Sequence, residues 1–447
     1  MRSFSVKRLI HRPGWKIDFD WKLRNIYDKM FLLLLIVSAV LRVIWLDKPM
    51  GELELDSQKV YGSSLIFDEM YYVNVGRVLL GLPRSVKDGE KIFGVVPTGL
   101  DPNKEHPPLA KLMITLSMKV LGDNAWGWRL PSIIFGIASI FIFYLLLKRM
   151  SRNPKFSLLA AFLYSFDNLV FIHSRIACLD IFVLTFMLLG FYWYFGNRTG
   201  LAAVSMGLST LCKIGGFYGF LTLVVFHFLR DIYKGKKLEK QKIRWYNKLG
   251  WLERFTIIYG LTVFVLLFVL DRLFAGYENP IDHLIFIAQY TAGLKAAKPT
   301  GIESYPWQWL LNEVKIPYLS TVIQYKVGEQ VVGEKAIVLF LGAMNPLIIY
   351  LCLPVMAYAA YKYWKKGGAI SLFILVWFAS TYLPFYPLSV IVHRIMYLFY
   401  FLNTVPAVCA AIAYVLVDRR VPRFIILLYA VGVVAGFVAL FPFKTIP

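Results

Sequence analysis

The run WRLPSIIFGIASIFIFYLLL, Trp128–Leu147, followed at once by the basic turn KRMSRNPK, Lys148–Lys155, decides how this chain is read. It holds roughly 20 residues, the length a helix needs to cross the hydrocarbon core of a bilayer, and its single charge, Arg129, sits in the first turn. Lipid offers backbone amides no hydrogen-bond partner, so such a run is helical. The basic turn that ends it marks the cytoplasmic side, where Lys and Arg of short loops collect.

Working outward, the same alternation of apolar run and basic turn recurs along the 447 residues. Spans are expected at Met30–Trp45, Trp128–Leu147, Phe156–Ile172, Ile176–Phe195, Leu201–Cys212, Phe217–Leu229, Phe255–Leu270, Ala336–Tyr358, Ile370–Phe385, Ile395–Val417 and Phe424–Phe441. Leu109–Val120 is apolar but too short to span. Basic residues fall at alternate ends: the N-terminal segment 1–29, the Lys148 turn, the loop Arg230–Arg254, then Lys362, Lys365, Lys366, Arg419, Arg420 and Arg423. The fold class expected is therefore all-α and polytopic, with about eleven transmembrane helices. It forms a single membrane-embedded domain over 1–447, with a cytoplasmic N-terminus. The stretches 46–127 and 271–335 fall outside the cell and are expected to be helical loops.

Composition agrees. The chain is 58% hydrophobic and only 17% charged, with mean hydropathy +0.59; a soluble domain cannot hide so much apolar surface. A membrane β-barrel would show short alternating segments instead. The net charge of +22 does not mark a nucleic-acid binder, because the cations sit in cytoplasmic turns. The four cysteines, Cys178, Cys212, Cys352 and Cys409, lie in or beside apolar runs without metal-ligand spacing. No metal or cofactor is expected. The N-terminus lacks the small-residue cleavage site of a leader peptide, and no phosphate-binding Gly loop is present in context.

Polar residues at the membrane edge are costly and call for a role. In Phe67-Asp68-Glu69-Met70-Tyr71-Tyr72, adjacent carboxylates cannot point the same way, so one can face a cleft while a neighbour holds the other. Asp68 then suits a general base and Glu69 its orienting companion; the competing reading is a solvated helix start. His106 precedes Pro107-Pro108, a sound helix start, where it caps, binds a phosphate or carries a proton. Arg129, Arg175, Lys213 and Arg394 lie near outer helix ends, against the positive-inside bias, and suit an anionic lipid headgroup; each is also explained by snorkelling. Asp180 is expected to pair with Arg175. Trp307 either joins the interfacial aromatic belt or stacks on a sugar.

Taken together these motifs resemble the protein O-mannosyltransferases that use a dolichyl or polyprenyl phosphate mannose donor, in a prokaryotic-type form. The resemblance rests on Phe67-Asp68-Glu69, His106-Pro107-Pro108-Leu109-Ala110-Lys111-Leu112, Gly122-Asp123-Asn124, Trp128-Arg129-Leu130-Pro131, Phe135-Gly136, Ser174-Arg175-Ile176 to Leu179-Asp180, Cys212-Lys213, Asn279-Pro280, Ser304 to Trp309, Asn345-Pro346 and Arg394 with Tyr397. It implies the multi-span lipid-phosphate-sugar glycosyltransferase fold (GT-C type), Asp68 as catalytic base with Glu69 beside it, and Arg129, Lys213 and Arg394 at the donor phosphate. His106, Arg175, Asp180, Tyr72 and Trp307 are further pocket candidates. Two departures stand out. The stretch after Leu270 is too short for the large sugar-binding-like insertion of eukaryotic members, and Ile214 stands where the family commonly has Trp.

The implied reaction is an inverting transfer of a sugar, mannose by the resemblance, to Ser/Thr hydroxyls of exported proteins at the external face of the cell membrane. Its partners are the lipid-phosphate-sugar donor and a protein or lipid acceptor. The competing readings are a lipid-directed sugar or aminoarabinose transferase of the same fold, which usually carries an extra C-terminal soluble domain, and a transporter or flippase, which would pair broken helices in two related halves.

Overall fold

The computed structural model describes residues 25–48, 51–55, 58–62, 65–84, 92–237, 246–296, 301–327 and 330–444. The basic N-terminal stretch up to residue 24 and the loop centre at 238–245 lie outside them. In chain order the helices begin with α1 (Ile26–Val43), followed by a hairpin of β1 (Gly51–Leu55) and β2 (Gln58–Gly62). Then come α2 (Glu69–Leu80), α3 (Leu109–Leu121), α4 (Ala125–Ser151), α5 (Pro154–Ser165), α6 (Asn168–His173), α7 (Asp180–Phe195), α8 (Thr199–Cys212), α9 (Phe217–Lys237) and α10 (Tyr246–Leu270). The second half holds α11 (Pro280–Gly293), α12 (Pro306–Leu310), β3 (Ile316–Val327), β4 (Gln330–Gly342), α13 (Pro346–Ile349), α14 (Cys352–Lys366), α15 (Ala369–Tyr382), α16 (Phe385–Val390), α17 (Val405–Leu416) and α18 (Arg423–Ala439).

Local chemistry sets these boundaries. Asn124 caps α4 by accepting from the amides of Trp126 and Gly127, and Asn153, Asn279 and Asn345 cap α5, α11 and α13, each followed by a proline at the first helical position. At one end of the bundle Asp28 of α1 accepts from Tyr144 and from Lys148, each at 2.5 Å. At the other end Arg129 of α4 donates to the carbonyls of Leu46 and Lys48 beyond α1. The two helices are thus antiparallel. The Phe156–Tyr414 contact and the Lys362–Asp418 pair bring further basic turns to the Lys148 end. Asp68, Asp180, Lys213 and Arg394 gather at the opposite end.

Four helical stretches are long and apolar enough to cross a membrane among the described residues: Ala125–Ser151, Gly250–Ala275, Pro346–Lys366 and Ala369–Val390. Five shorter apolar helices accompany them, Asp180–Phe195, Thr199–Cys212, Ile214–Arg230, Val405–Leu416 and Arg423–Ala439. The chain is a mostly helical, multi-pass membrane protein.

Three expectations change. The span expected over Ala336–Tyr358 begins only at Pro346: residues 336–342 are the end of β4, paired with β3 from Ile316↔Gly342 to Val327↔Gln330. Short apolar, β-branched runs suit strand and helix alike, and a long-range partner decides. The stretches expected to be helical loops are accordingly not wholly helical; each carries strands of a two-stranded antiparallel hairpin. The span expected from Ile395 is irregular at first, with a 3-10 turn over Leu398–Asn403, and becomes α-helical at Val405.

The bundle closes tightly where α4 meets the end of α6. A Cβ on Gly136 would stand 2.3 Å from the Ser174 side chain, and Ser174 accepts from Arg42 Nε at 2.7 Å. Gly136→Ala is expected to destabilise the protein by roughly 1–3 kcal/mol through overpacking, read as a lowered thermal unfolding midpoint in detergent.

Candidate active site

The site is built on the first turn of α2. Phe67 adopts a left-handed backbone, φ 54°, uncommon for a bulky residue and a form of strain that concentrates at functional sites. Its amide donates to the Tyr318 carbonyl at 3.0 Å and its ring stacks on Tyr318 at 4.2 Å. The β3–β4 hairpin thereby fixes the turn from which the two carboxylates diverge.

Glu69 points inward and is fully buried. Arg129 grips it with both forks, Nε to Oε1 at 2.8 Å and Nη2 to Oε2 at 2.7 Å, while the amides of Ile66 and Ala177 donate to it at 2.7 and 2.8 Å. Asp68 points the other way. It is half-buried and accepts no cap hydrogen bond on its side chain. Burial lifts its pKa to about 7; Lys213 works against that shift, and Asp180 and Glu105 reinforce it.

Lys213 follows the last turn of α8 and Asp180 opens α7, each at the helix end that favours its charge. They pair at 2.9 Å. Lys213 also lies over the rings of Phe399 and Tyr400, at 5.0 and 5.8 Å. Arg394 lies over the same Tyr400 ring at 5.3 Å, with Nη2 donating to its hydroxyl at 3.3 Å. Among the described residues no carboxylate pairs with Arg394. The residue before it, His393, has a left-handed backbone, φ 56°. A cavity of about 300 Å³ opens beside Arg394, lined in part by Ser304, Tyr305, Trp307 and Met396, with Trp307 stacked on Tyr305 at 4.4 Å.

His106 faces the same region. Its pKa is held well below the ordinary imidazole value by burial, then by Lys213, Lys111 and Arg394, so the ring is neutral, and its buried Nδ1 has no hydrogen-bond partner. The Tyr72 ring lies 6.4 Å from it. Asp68, Lys213, Asp180, His106, Tyr72 and Arg394 therefore share one region, with Trp307 on the cavity beside Arg394.

Two expected ligands lie elsewhere. Arg175 donates to the carbonyls of Leu41, Ile44 and Trp45 and so caps α1; it does not pair with Asp180, whose partner is Lys213. The residues between Arg175 and Asp180 are not helical, so helical spacing did not apply. Arg129 is 1% exposed and committed to Glu69, which leaves it holding the site rather than facing an open phosphate pocket. Tyr400, Tyr318, Glu105 and His173 were not singled out by sequence reasoning. Tyr400 had a signal: an aromatic six residues from Arg394 in a Pro-free loop. Among the described residues no cluster of His, Cys, Asp and Glu could hold a metal ion.

Arg129→Ala strands the buried Glu69 carboxylate and is expected to cost roughly 3–5 kcal/mol of stability, whereas Arg394→Ala leaves the unfolding midpoint near wild type; thermal unfolding in detergent separates the two.

A sequence model described as Dolichyl-phosphate-mannose-protein mannosyltransferase matches residues 105–252. The polyprenol-phosphate-mannose–protein mannosyltransferase of Mycobacterium tuberculosis is 22% identical, over 85% of this chain and 83% of the relative. The Saccharomyces cerevisiae protein O-mannosyltransferase Pmt1-Pmt2 complex, solved with the sugar donor bound, superposes with a TM-score of 0.64 at 10% identity, covering 94% of this chain and 90% of that one. ArnT of Cupriavidus metallidurans, bound to undecaprenyl phosphate, gives 0.51 at 14% identity, over 92% and 70%. The likeness to the solved structures places the fold in the GT-C class. This chain is a membrane-embedded glycosyltransferase, related to the protein mannosyltransferases of the dolichyl- and polyprenol-phosphate-mannose type.

Proposed function

We propose that the chain transfers mannose from a polyprenyl-phosphate donor to Ser/Thr hydroxyls of exported proteins, with Asp68 as general base. The observation that carries this reading is the split of the adjacent carboxylates: Glu69 is saturated by Arg129 and two amides, while Asp68 is left half-exposed, with a pKa near 7, in the field of Lys213. In this scheme the acceptor hydroxyl oxygen attacks the anomeric carbon, its proton passes to Asp68, and the bond from that carbon to the phosphate oxygen breaks. The leaving lipid phosphate gains charge, from about one negative towards two. Cations fixed beside it bind that developing charge better than the ground state, which lowers the barrier. Arg394, without a carboxylate partner among the described residues, and Lys213, next to it across Tyr400, suit that role; Arg129 acts by holding Glu69. The scheme uses no metal or cofactor.

In the same reading the eleven crossings are α1, α4, the α5–α6 pair, α7, α8, α9, α10, the α13–α14 pair, α15, α17 and α18. The N-terminus and the Lys148 end lie in the cytoplasm and Asp68 lies on the external side. The likeness to ArnT supports a second reading, transfer to a lipid acceptor by the same residues. Incubating the purified protein with labelled polyprenyl-phosphate mannose and either Ser/Thr peptides or lipid acceptors decides between the two.

Two outcomes are expected in that assay. Asp68→Asn loses roughly 10²–10⁴-fold in transfer with an unchanged unfolding midpoint; full activity would reject Asp68 as base. Because the base must be ionised, kcat/KM of the wild type falls by about tenfold per pH unit below about 7 and levels off above it; a pH-independent rate across that range would contradict the assignment.

A further inference from the structure

His283, on α11, is buried together with Asp271 at the end of α10, behind the loop that carries Glu105 and His106. Its Nδ1 lies 2.7 Å from Asp271 Oδ1 and its Nε2 lies 2.8 Å from the carbonyl oxygen of Lys104. Both neighbours are acceptors, so the ring makes both bonds only by donating from both nitrogens. Donation from both nitrogens makes the ring an imidazolium against the Asp271 carboxylate. Tyr277 stacks flat on the ring at 4.5 Å and 10° and shields it.

The Lys104 carbonyl immediately precedes Glu105 and His106. A second tie, from the Asp101 amide to the Phe274 carbonyl at 2.6 Å, joins the same loop to the same turn after α10. Within the loop Lys111 pairs with Asp101 at 2.5 Å and donates to the carbonyls of Asn103 and His106, and Asn103 Nδ2 donates to Glu105 Oε1 at 2.5 Å. The loop is knotted internally by Lys111 and anchored externally by His283.

We infer that His283 and Asp271 are positioning residues: their charged pair clamps the Asp101–His106 loop, so that Glu105 and His106 are held at the pocket of Asp68, Lys213 and Arg394. This rests on the glycosyltransferase site proposed above. The other charged or titratable groups around the ring are Tyr277 and Asp282 on its own side and Asp101, Lys104 and Lys111 from the loop and α3. Lys111 is taken by Asp101, and Lys104 lies over the Tyr277 ring at 5.0 Å, which leaves Asp271 as the carboxylate that reaches His283. The ring makes both bonds only while it carries its second N–H proton. Asp271→Asn keeps both bonds without that proton, since an amide N–H donates to Nδ1 of a neutral ring whose Nε2–H still meets Lys104.

The test uses full-length protein labelled with ¹⁵N-histidine, whose six histidines give few signals. The expected result is one ring signal that stays doubly protonated at pH 8, vanishes in His283→Phe and becomes a neutral Nε2–H tautomer in Asp271→Asn. A His283 signal that is neutral in the wild type at that pH overturns the clamp, whatever the donor proves to be. In the transfer assay His283→Phe lowers kcat by roughly tenfold to a hundredfold, with the acid limb at about pH 7 retained. Asp271→Asn, which keeps both bonds, retains the wild-type rate. Wild-type kcat in His283→Phe, or a loss of rate in Asp271→Asn as large as in His283→Phe, would equally overturn the inference, while absence of transfer in the wild type would fault the proposed function and leave the spectroscopic test standing.

Discussion

The arrangement depends on one ion pair, Glu69 with Arg129. Both members are essentially buried, and the pair is tolerated because every strong hydrogen-bonding group has a partner: a two-pronged Arg–carboxylate contact, two amides on the carboxylate and two carbonyls on the guanidinium. Four chain segments meet there: the exit of α1, the start of α2, the first turns of α4 and the turn before α7. By saturating Glu69 the pair leaves the neighbouring Asp68 to look the other way, towards Lys213 and Asp180. A charge held as structure thus sets the direction of a charge available for chemistry.

Around that fixed point the electrostatics are divided in the same manner. Lys213 is tied to Asp180, Lys111 to Asp101 and Arg77 to Asp123, which also accepts from Trp128 Nε1 at 2.6 Å. These pairs hold loops and helix ends in place. Arg394 and Asp68 stand apart from such pairing among the described residues, and each follows directly on a residue with a left-handed backbone, His393 and Phe67. Backbone strain collects at functional sites, and its coincidence with unspent charge at both places fits the donor and acceptor roles proposed for them.

Much of this was legible in the sequence, and the failures have physical causes. The apolar helical runs followed from length and composition, and four of them are long enough to cross a membrane among the described residues. The divergence of Asp68 and Glu69 followed from adjacency alone. Which cation holds Glu69 could not be read, since Arg129 lies 60 positions away and only the folded bundle brings it near. Asp180 was assigned to Arg175 by helical spacing over residues that are not helical; the real partner, Lys213, comes from the end of a different helix. The β3–β4 hairpin hid in the apolar run from Ala336, where strand and helix share composition. The pairing of His283 with Asp271 joins two turns that the sequence leaves unconnected.

The central claim is that Asp68, Lys213 and Arg394 face one bound donor. A structure of the protein with a non-transferable polyprenyl-phosphate mannose analogue measures this directly. The phosphate is expected against Arg394 and Lys213, beside the Tyr400 ring, with the anomeric carbon turned towards Asp68. A phosphate seated at the Lys148 end of the bundle, or an anomeric carbon facing away from Asp68, would contradict it.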